Sequence, residues 1–171
     1  VNFGGDLFGQ SPLFRSEFNL YKDYANTTQT TLFTDEELDG VEKLTINFDK
    51  SIYIENLGGG KFNCKLLPIE AQVAPINGIA TLDYNNDGNE DILLVGNDFG
   101  NEVFIGRYDA FNGLLLENDG KGDFKTIPTL ESGFLVPGDS KSIATVKSNK
   151  ENYPYYVVTQ NRDSVRVFQK N

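Results

Sequence analysis

Asn56-Leu-Gly58-Gly-Gly60-Lys-Phe62 and Asn118-Asp-Gly120-Lys-Gly122-Asp-Phe124 both read N-x-G-x-G-x-F, and they start 62 residues apart. An apolar run precedes each stretch and another follows it. The pattern is that of a hairpin. The glycines supply positive-φ positions, and the phenylalanine opens the return strand and is expected to pack inward. A second pair repeats beside the first: Gly78-Ile-Ala-Thr-Leu82 and Ser142-Ile-Ala-Thr-Val146, 64 residues apart. Ser164-Val-Arg-Val-Phe168 aligns with Ser51-Ile-Tyr-Ile-Glu55 as a third, partial copy.

The repeating unit is therefore about 60 residues long and holds four strands, the arrangement of a propeller blade. The competing architecture is a β-sandwich with two similar hairpins, and the consistent spacing of two different motifs favours blades. Strands are expected at 44–48, 51–56, 61–67, 77–83, 91–96, 113–117, 123–128, 141–147, 155–160 and 164–169, where Val, Ile, Leu, Tyr and Phe run between turn residues. Ile92-Leu-Leu-Val95 is continuously apolar, as in a strand buried on both faces.

Residues 1–45 differ. Phe18, Tyr21 and Tyr24 recur every three residues, which predicts one face of a short helix. Thr34 followed by Glu37 forms a capping box, with Gly40 as the stop. The predicted fold is mainly β: a partial propeller of four-stranded antiparallel blades behind a mixed, partly helical segment 1–45. Residues 46–171 hold about two and a half blades, of which 77–128 is the complete one. Propellers close with roughly 4–8 blades, so this phase, and the start at Val1, predict a part of a larger chain or assembly.

Composition narrows the chemistry. The 171 residues carry 15 Lys+Arg, 25 Asp+Glu and a net charge of −10, with one Cys and no His, Met or Trp. Without His there is no Ser-His-Asp or Cys-His unit, no His-bearing zinc site and no axial His for haem. One Cys excludes an internal disulfide framework. The acidity argues against nucleic acid and against an anionic membrane surface. No run of apolar residues is long enough to span a membrane as a helix.

Asp83-Tyr-Asn85-Asn-Asp87-Gly88-Asn89-Glu-Asp91 is the stretch that carries chemistry. Side-chain oxygens at Asp83, Asn85 and Asp87 can converge on one centre. Gly88 allows the return turn, Asn89 offers its carbonyl, and Asp91 closes the cage as the next strand begins. An all-oxygen set on a flexible loop suits Ca²⁺ better than Mg²⁺. Three carboxylates in one loop repel, and a dication relieves that. The alternative is a solvated Asx-rich turn without metal. The corresponding stretch Ser148–Pro154 contains Lys150 and lacks the aspartates, so no cation is expected there.

Asp83–Asp91 followed by Ile92-Leu-Leu-Val-Gly96, together with the Asn118–Phe124 turn, resembles the FG-GAP/VCBS repeat, which also occurs in the integrin α-chain propeller. Phe99-Gly100 resembles a remnant of its FG element. Leu20–Ala25, Phe33–Leu38, Pro68–Gln72 and Gly100–Ala110 look like the C-terminal end of large bacterial VCBS-repeat proteins, often annotated alongside the ASPIC/UnbV domain. The resemblance implies Ca²⁺ on Asp83, Asn85, Asp87, Asn89 and Asp91. It also implies an exported, extracellular or outer-membrane-associated protein without enzymatic activity. Such a protein binds or scaffolds a protein partner in a surface complex. Asn85 departs from the Asp of many such repeats, which implies weaker affinity.

Two other functions are compatible with the sequence. One is the propeller part of a polysaccharide lyase or hydrolase, with catalytic residues elsewhere or drawn from Glu70, Glu102, Arg107 and Asp109. The other is a purely structural part completing a propeller begun by another segment. Glu102, Arg107 and Asp109 share a loop and suit ligand contact, but an Arg107 ion pair to Asp109 or Glu102 is the expected arrangement. Cys64 is expected to be a buried apolar residue rather than a nucleophile. Tyr153, Tyr155 and Tyr156 could form a sugar platform, although strand packing is favoured. Asn26-Thr-Thr28 fits an N-glycosylation sequon.

Overall fold

A computed structural model describes residues 4–11, 14–18, 20–148 and 153–170. The chain divides into two compact units, Val1–Asn47 and Phe48–Asn171. The first contains five short helices: α1 (Gly4–Gln10), α2 (Phe14–Glu17), α3 (Tyr21–Ala25), α4 (Gln29–Leu32) and α5 (Asp35–Leu38). The Thr34–Glu37 capping box forms: Thr34 Oγ1 accepts from Glu37 N–H at 3.3 Å, and Glu37 Oε2 accepts from Thr34 N–H at 2.8 Å. Gly40 ends the segment at φ 75°. Phe18 lies just outside α3, yet its ring meets Tyr24 at 5.7 Å and Phe8 at 6.3 Å. The three-residue spacing thus reports an aromatic cluster more than one helix face.

The second unit is mainly β, in three antiparallel sheets. β1 (Ile52–Gly58) pairs with β2 (Lys61–Leu66). β3 (Ile76–Leu82), β4 (Asp91–Gly96), β5 (Leu114–Asn118) and β6 (Phe124–Ile127) form a four-stranded meander in chain order. β7 (Ser140–Val146), β8 (Tyr155–Gln160) and β9 (Arg166–Gln169) form the third sheet. A 3-10 turn at Ile69–Gln72 and a short helix α6 (Thr129–Ser132) connect them. The hairpin glycines adopt positive φ at Gly58, Gly59, Gly60, Gly120 and Gly122.

The repeat is visible in register as well as in sequence. β3 and β7 carry the same irregularity, between Ile76 and Gly78 and between Ser140 and Ser142. Ala80 pairs with Leu93 and Leu93 with Leu115; Ala144 pairs with Val157 and Val157 with Val167. The turns also match: Asn56 pairs with Phe62, and Asn118 with Phe124.

The four-stranded sheet is covered on both faces. Leu93, Val95, Leu115 and Ile127 on one face pack with Ile143, Tyr156 and Val158 of the third sheet. Leu94, Leu114 and Leu116 on the other pack with Ala71, Phe111 and Leu67. This explains the unbroken apolar run of β4, whose neighbours alternate between two cores. Gly78 is required by the close approach of the sheets: a Cβ there would lie 2.8 Å from Ile143 N.

Three expectations are corrected. Residues 44–48 are not a strand, and Leu44 and Ile46 are 84% and 87% exposed. Their alternation is strand-like, but a strand needs a ladder partner, and this stretch pairs with none among the described residues. Phe62 does not pack inward, whereas its counterpart Phe124 meets Tyr53 with ring centroids 5.3 Å apart. Cys64 is exposed, because it shares with Phe62 the uncovered face of the two-stranded sheet.

Candidate metal centre

The loop 83–91 joins β3 to β4. Its turn follows from local chemistry. Gly88 sits at φ 86° and Asn86 at φ 62°, conformations that glycine and asparagine tolerate best. Asp83 accepts Asp87 N–H at 3.1 Å through Oδ1 and Gly88 N–H at 3.0 Å through Oδ2. Asn85 Oδ1 accepts Asp87 N–H at 3.0 Å, and Asn85 Nδ2 donates to Asp87 Oδ2 at 2.9 Å. Asp87 Oδ1 accepts Asn89 N–H at 2.8 Å. That bond, followed by the one from Asn85, holds the Asp87 carboxyl below its usual range, so it is ionised at neutral pH.

Asp91 behaves differently. It is fully buried at the start of β4. Its Oδ2 accepts Tyr84 N–H at 2.7 Å and its Oδ1 accepts Asn118 N–H at 2.8 Å. Asn118 Nδ2 in turn donates to Glu90 O at 3.1 Å. The candidate ligand loop and the second N-x-G-x-G-x-F turn are thereby locked together. Gly120 is part of that lock, since a Cβ on it would stand 2.8 Å from Asn89 Oδ1.

A cation that the sequence reading missed lies at this loop. Lys170 Nζ donates to the Asp83 carbonyl and to Asn86 Oδ1, the latter at 2.6 Å, and it lies 5.3 Å from the Tyr153 ring centroid. No local pattern announces it, because 87 residues separate Lys170 from Asp83. A cavity of about 550 Å³ opens next to it, lined among others by Leu82, Tyr84, Leu115, Tyr156, Phe168 and Lys170.

The donor chemistry fits a hard cation. All side-chain donors at Asp83, Asn85, Asp87 and Asp91 include oxygen, and a carboxylate oxygen that accepts one N–H retains a second acceptor site. In the present arrangement these oxygens accept from backbone N–H groups and, at Asp87 Oδ2, from the Asn85 side-chain amide. Among the described residues, no three His, Cys, Asp or Glu side chains form a group that could hold a metal ion. Of the second loop, 149–152, which includes Lys150, lie outside the described residues.

The other candidate residues are dispersed. Glu70 Oε2 accepts from Thr126 Oγ1 at 3.1 Å. Glu102, Arg107 and Asp109 are exposed on the loop between β4 and β5. The expected Arg107 ion pair is not formed among the described residues. The Arg107 guanidinium instead lies 5.0 Å from the Phe99 ring centroid. Tyr155 and Tyr156 are successive on β8 and face opposite sides, so they make no platform. The Asn26 side chain is engaged at the end of α3, donating to Lys22 O at 3.0 Å.

A second polar cluster lies at the opposite end of β4. Asn97 is fully buried at φ 85°; its Nδ2 donates to Phe111 O at 2.6 Å and Gly138 O at 2.8 Å, and its Oδ1 accepts Phe111 N–H at 2.9 Å. Beside it, Lys141 Nζ meets buried Asp139 at 2.6 Å and Asp98 at 3.6 Å. Burial pushes the Asp139 carboxyl up, but bonds from Lys141 and Asn161 outweigh it and leave it below the usual range. The bond to Asp139 raises Lys141.

No protein-family profile matches the chain, and neither a curated protein nor a solved structure does.

Proposed function

We propose that the chain is a calcium-binding, non-enzymatic portion of a β-propeller, acting as a binding or scaffolding module for a protein partner in an exported surface complex. The observation that carries the cation reading is the 83–91 loop itself. It gathers three carboxylates within nine residues, closes on Gly88, and is anchored through Asp91 to the neighbouring hairpin. Asp83, Asn85, Asp87 and Asp91 would hold Ca²⁺ through side-chain oxygens, and Asn89 through its carbonyl. The ion would neutralise charge that Lys170 offsets only in part. The successive antiparallel sheets, with the same register irregularity in β3 and β7, support reading them as blades.

The test is a thermal melt of the whole chain with Ca²⁺ and with EDTA. A ligand at a hundred times its Kd stabilises by about 2.7 kcal/mol, which for a chain of this size raises Tm by roughly 5–10 °C. Asp87→Ala should abolish the increment while changing the EDTA midpoint little. An unmoved midpoint in the wild type refutes the cation reading.

A further inference from the structure

The cavity of about 550 Å³ beside Lys170 lies between the four-stranded sheet and the third sheet. Its floor is apolar, with Leu93 and Leu115 only 3% and 2% exposed. Four aromatic rings wall it: Tyr84, Phe134, Tyr156 and Phe168. Phe134 and Phe168 meet edge to face, with centroids 4.8 Å apart. Two hydrogen bonds from the third sheet bracket the space. The Tyr156 hydroxyl donates to Thr81 O at 3.4 Å, and Lys170 Nζ, just past β9, donates to the Asp83 carbonyl. The walls are therefore held in place by contacts of the fold itself, and the volume falls within the range of small-molecule sites.

Lys170 gives the cavity its charge. An ammonium has three donors. Two of them go to neutral oxygens, the Asp83 carbonyl and Asn86 Oδ1, and Lys170 makes no ion pair among the described residues. Glu131 also lines the cavity, but it is exposed on α6, where water screens it. An aromatic-walled interior with an unpaired cation on its lining complements a flat apolar body that carries one negative group.

We infer that this cavity binds a small aromatic carboxylate, with its ring among the aromatic walls and its carboxylate on Lys170 Nζ. The third ammonium donor makes a charge-assisted hydrogen bond to the ligand, and the buried leucines exclude water from its ring. The site does not rest on the calcium reading, because none of these contacts needs a cation in the 83–91 loop.

Isothermal titration of the whole chain with 2-naphthoate, in EDTA, tests it. The wild type should bind one equivalent saturably. The neutral analogue 2-naphthylmethanol should bind about 10-fold or more weakly than the carboxylate, the scale of one hydrogen bond between charged groups. Lys170→Gln should weaken 2-naphthoate by about the same factor and leave 2-naphthylmethanol unchanged. Leu82 is half-buried on the cavity wall, so Leu82→Trp should fill the space and abolish binding of both. Leu82→Phe serves in its place if the tryptophan variant loses its far-UV circular dichroism. Absence of saturable binding by the wild type overturns the inference. So does 2-naphthoate affinity untouched by Lys170→Gln or by filling at Leu82, or equal affinity for the neutral analogue, which would make the cavity merely apolar.

Discussion

Asn97 is a fully buried polar residue whose side chain makes three hydrogen bonds to backbone. Its side chain ties the loop before β5, through Phe111, to the segment before β7, through Gly138. Asn97→Ala would leave buried donors and acceptors unsatisfied and would force a positive φ on alanine. It should cost about 2–4 kcal/mol, read from urea unfolding. Asp139 makes a pH-dependent contribution. Its folded pKa is depressed, so its stabilisation is present above the unfolded value of about 3.9 and is lost as pH falls through the folded value. Lys141 has the opposite sign: raised in the fold, it contributes below about 10.4 and loses that contribution as pH rises further. The stability difference between wild type and Asp139→Asn should therefore be clear at neutral pH and shrink as pH falls through the depressed folded value of Asp139. Neither residue stood out in the sequence, because an isolated Asn or Asp reads as loop chemistry until its burial is known.

At the scale of elements, the two N-x-G-x-G-x-F hairpins share a motif, positive φ at its two spaced glycines and the Asn–Phe pairing, but not an environment. A Cβ on Gly122 would come within 2.6 Å of the Tyr53 ring, at φ 76°, whereas one on Gly59, at φ 60°, would meet nothing within 4 Å. Gly122→Ala combines backbone strain with a clash and should cost about 2–3 kcal/mol; Gly59→Ala carries the strain alone and should cost about 1 kcal/mol. Equal losses in urea unfolding would show that the hairpins are not differently packed. Lys65 makes the same point. Its Nζ reaches across to Lys121 O at 2.6 Å and Asp123 Oδ2 at 2.9 Å, filling the second turn from the first hairpin. Nine strands were legible because each is a short apolar run bounded by turn residues. The tenth, 44–48, has the same pattern and no partner, and pattern alone cannot supply one.

For the whole molecule, burial is concentrated on the four-stranded sheet, which has a core on either face. Its β4 amides should exchange slowest with deuterium. Residues 41–50, irregular and exposed, should exchange within the dead time and should be the first site of tryptic cleavage, after Lys43 or Lys50. Protection across 44–48 would mean that this stretch finds a strand partner after all.

The positive-φ hairpin turns, nine of the ten expected strands and the Asx-rich turn chemistry of 83–91 were determined by sequence alone. Each depends on the φ preference and reach of a few contiguous residues. The tertiary structure alone decided that Phe124 is covered and Phe62 is not, that Lys170 sits on the 83–91 loop, and that Asp91 is locked to Asn118. Those outcomes depend on what packs across from a residue, and in this chain that partner is 27 to 87 residues away.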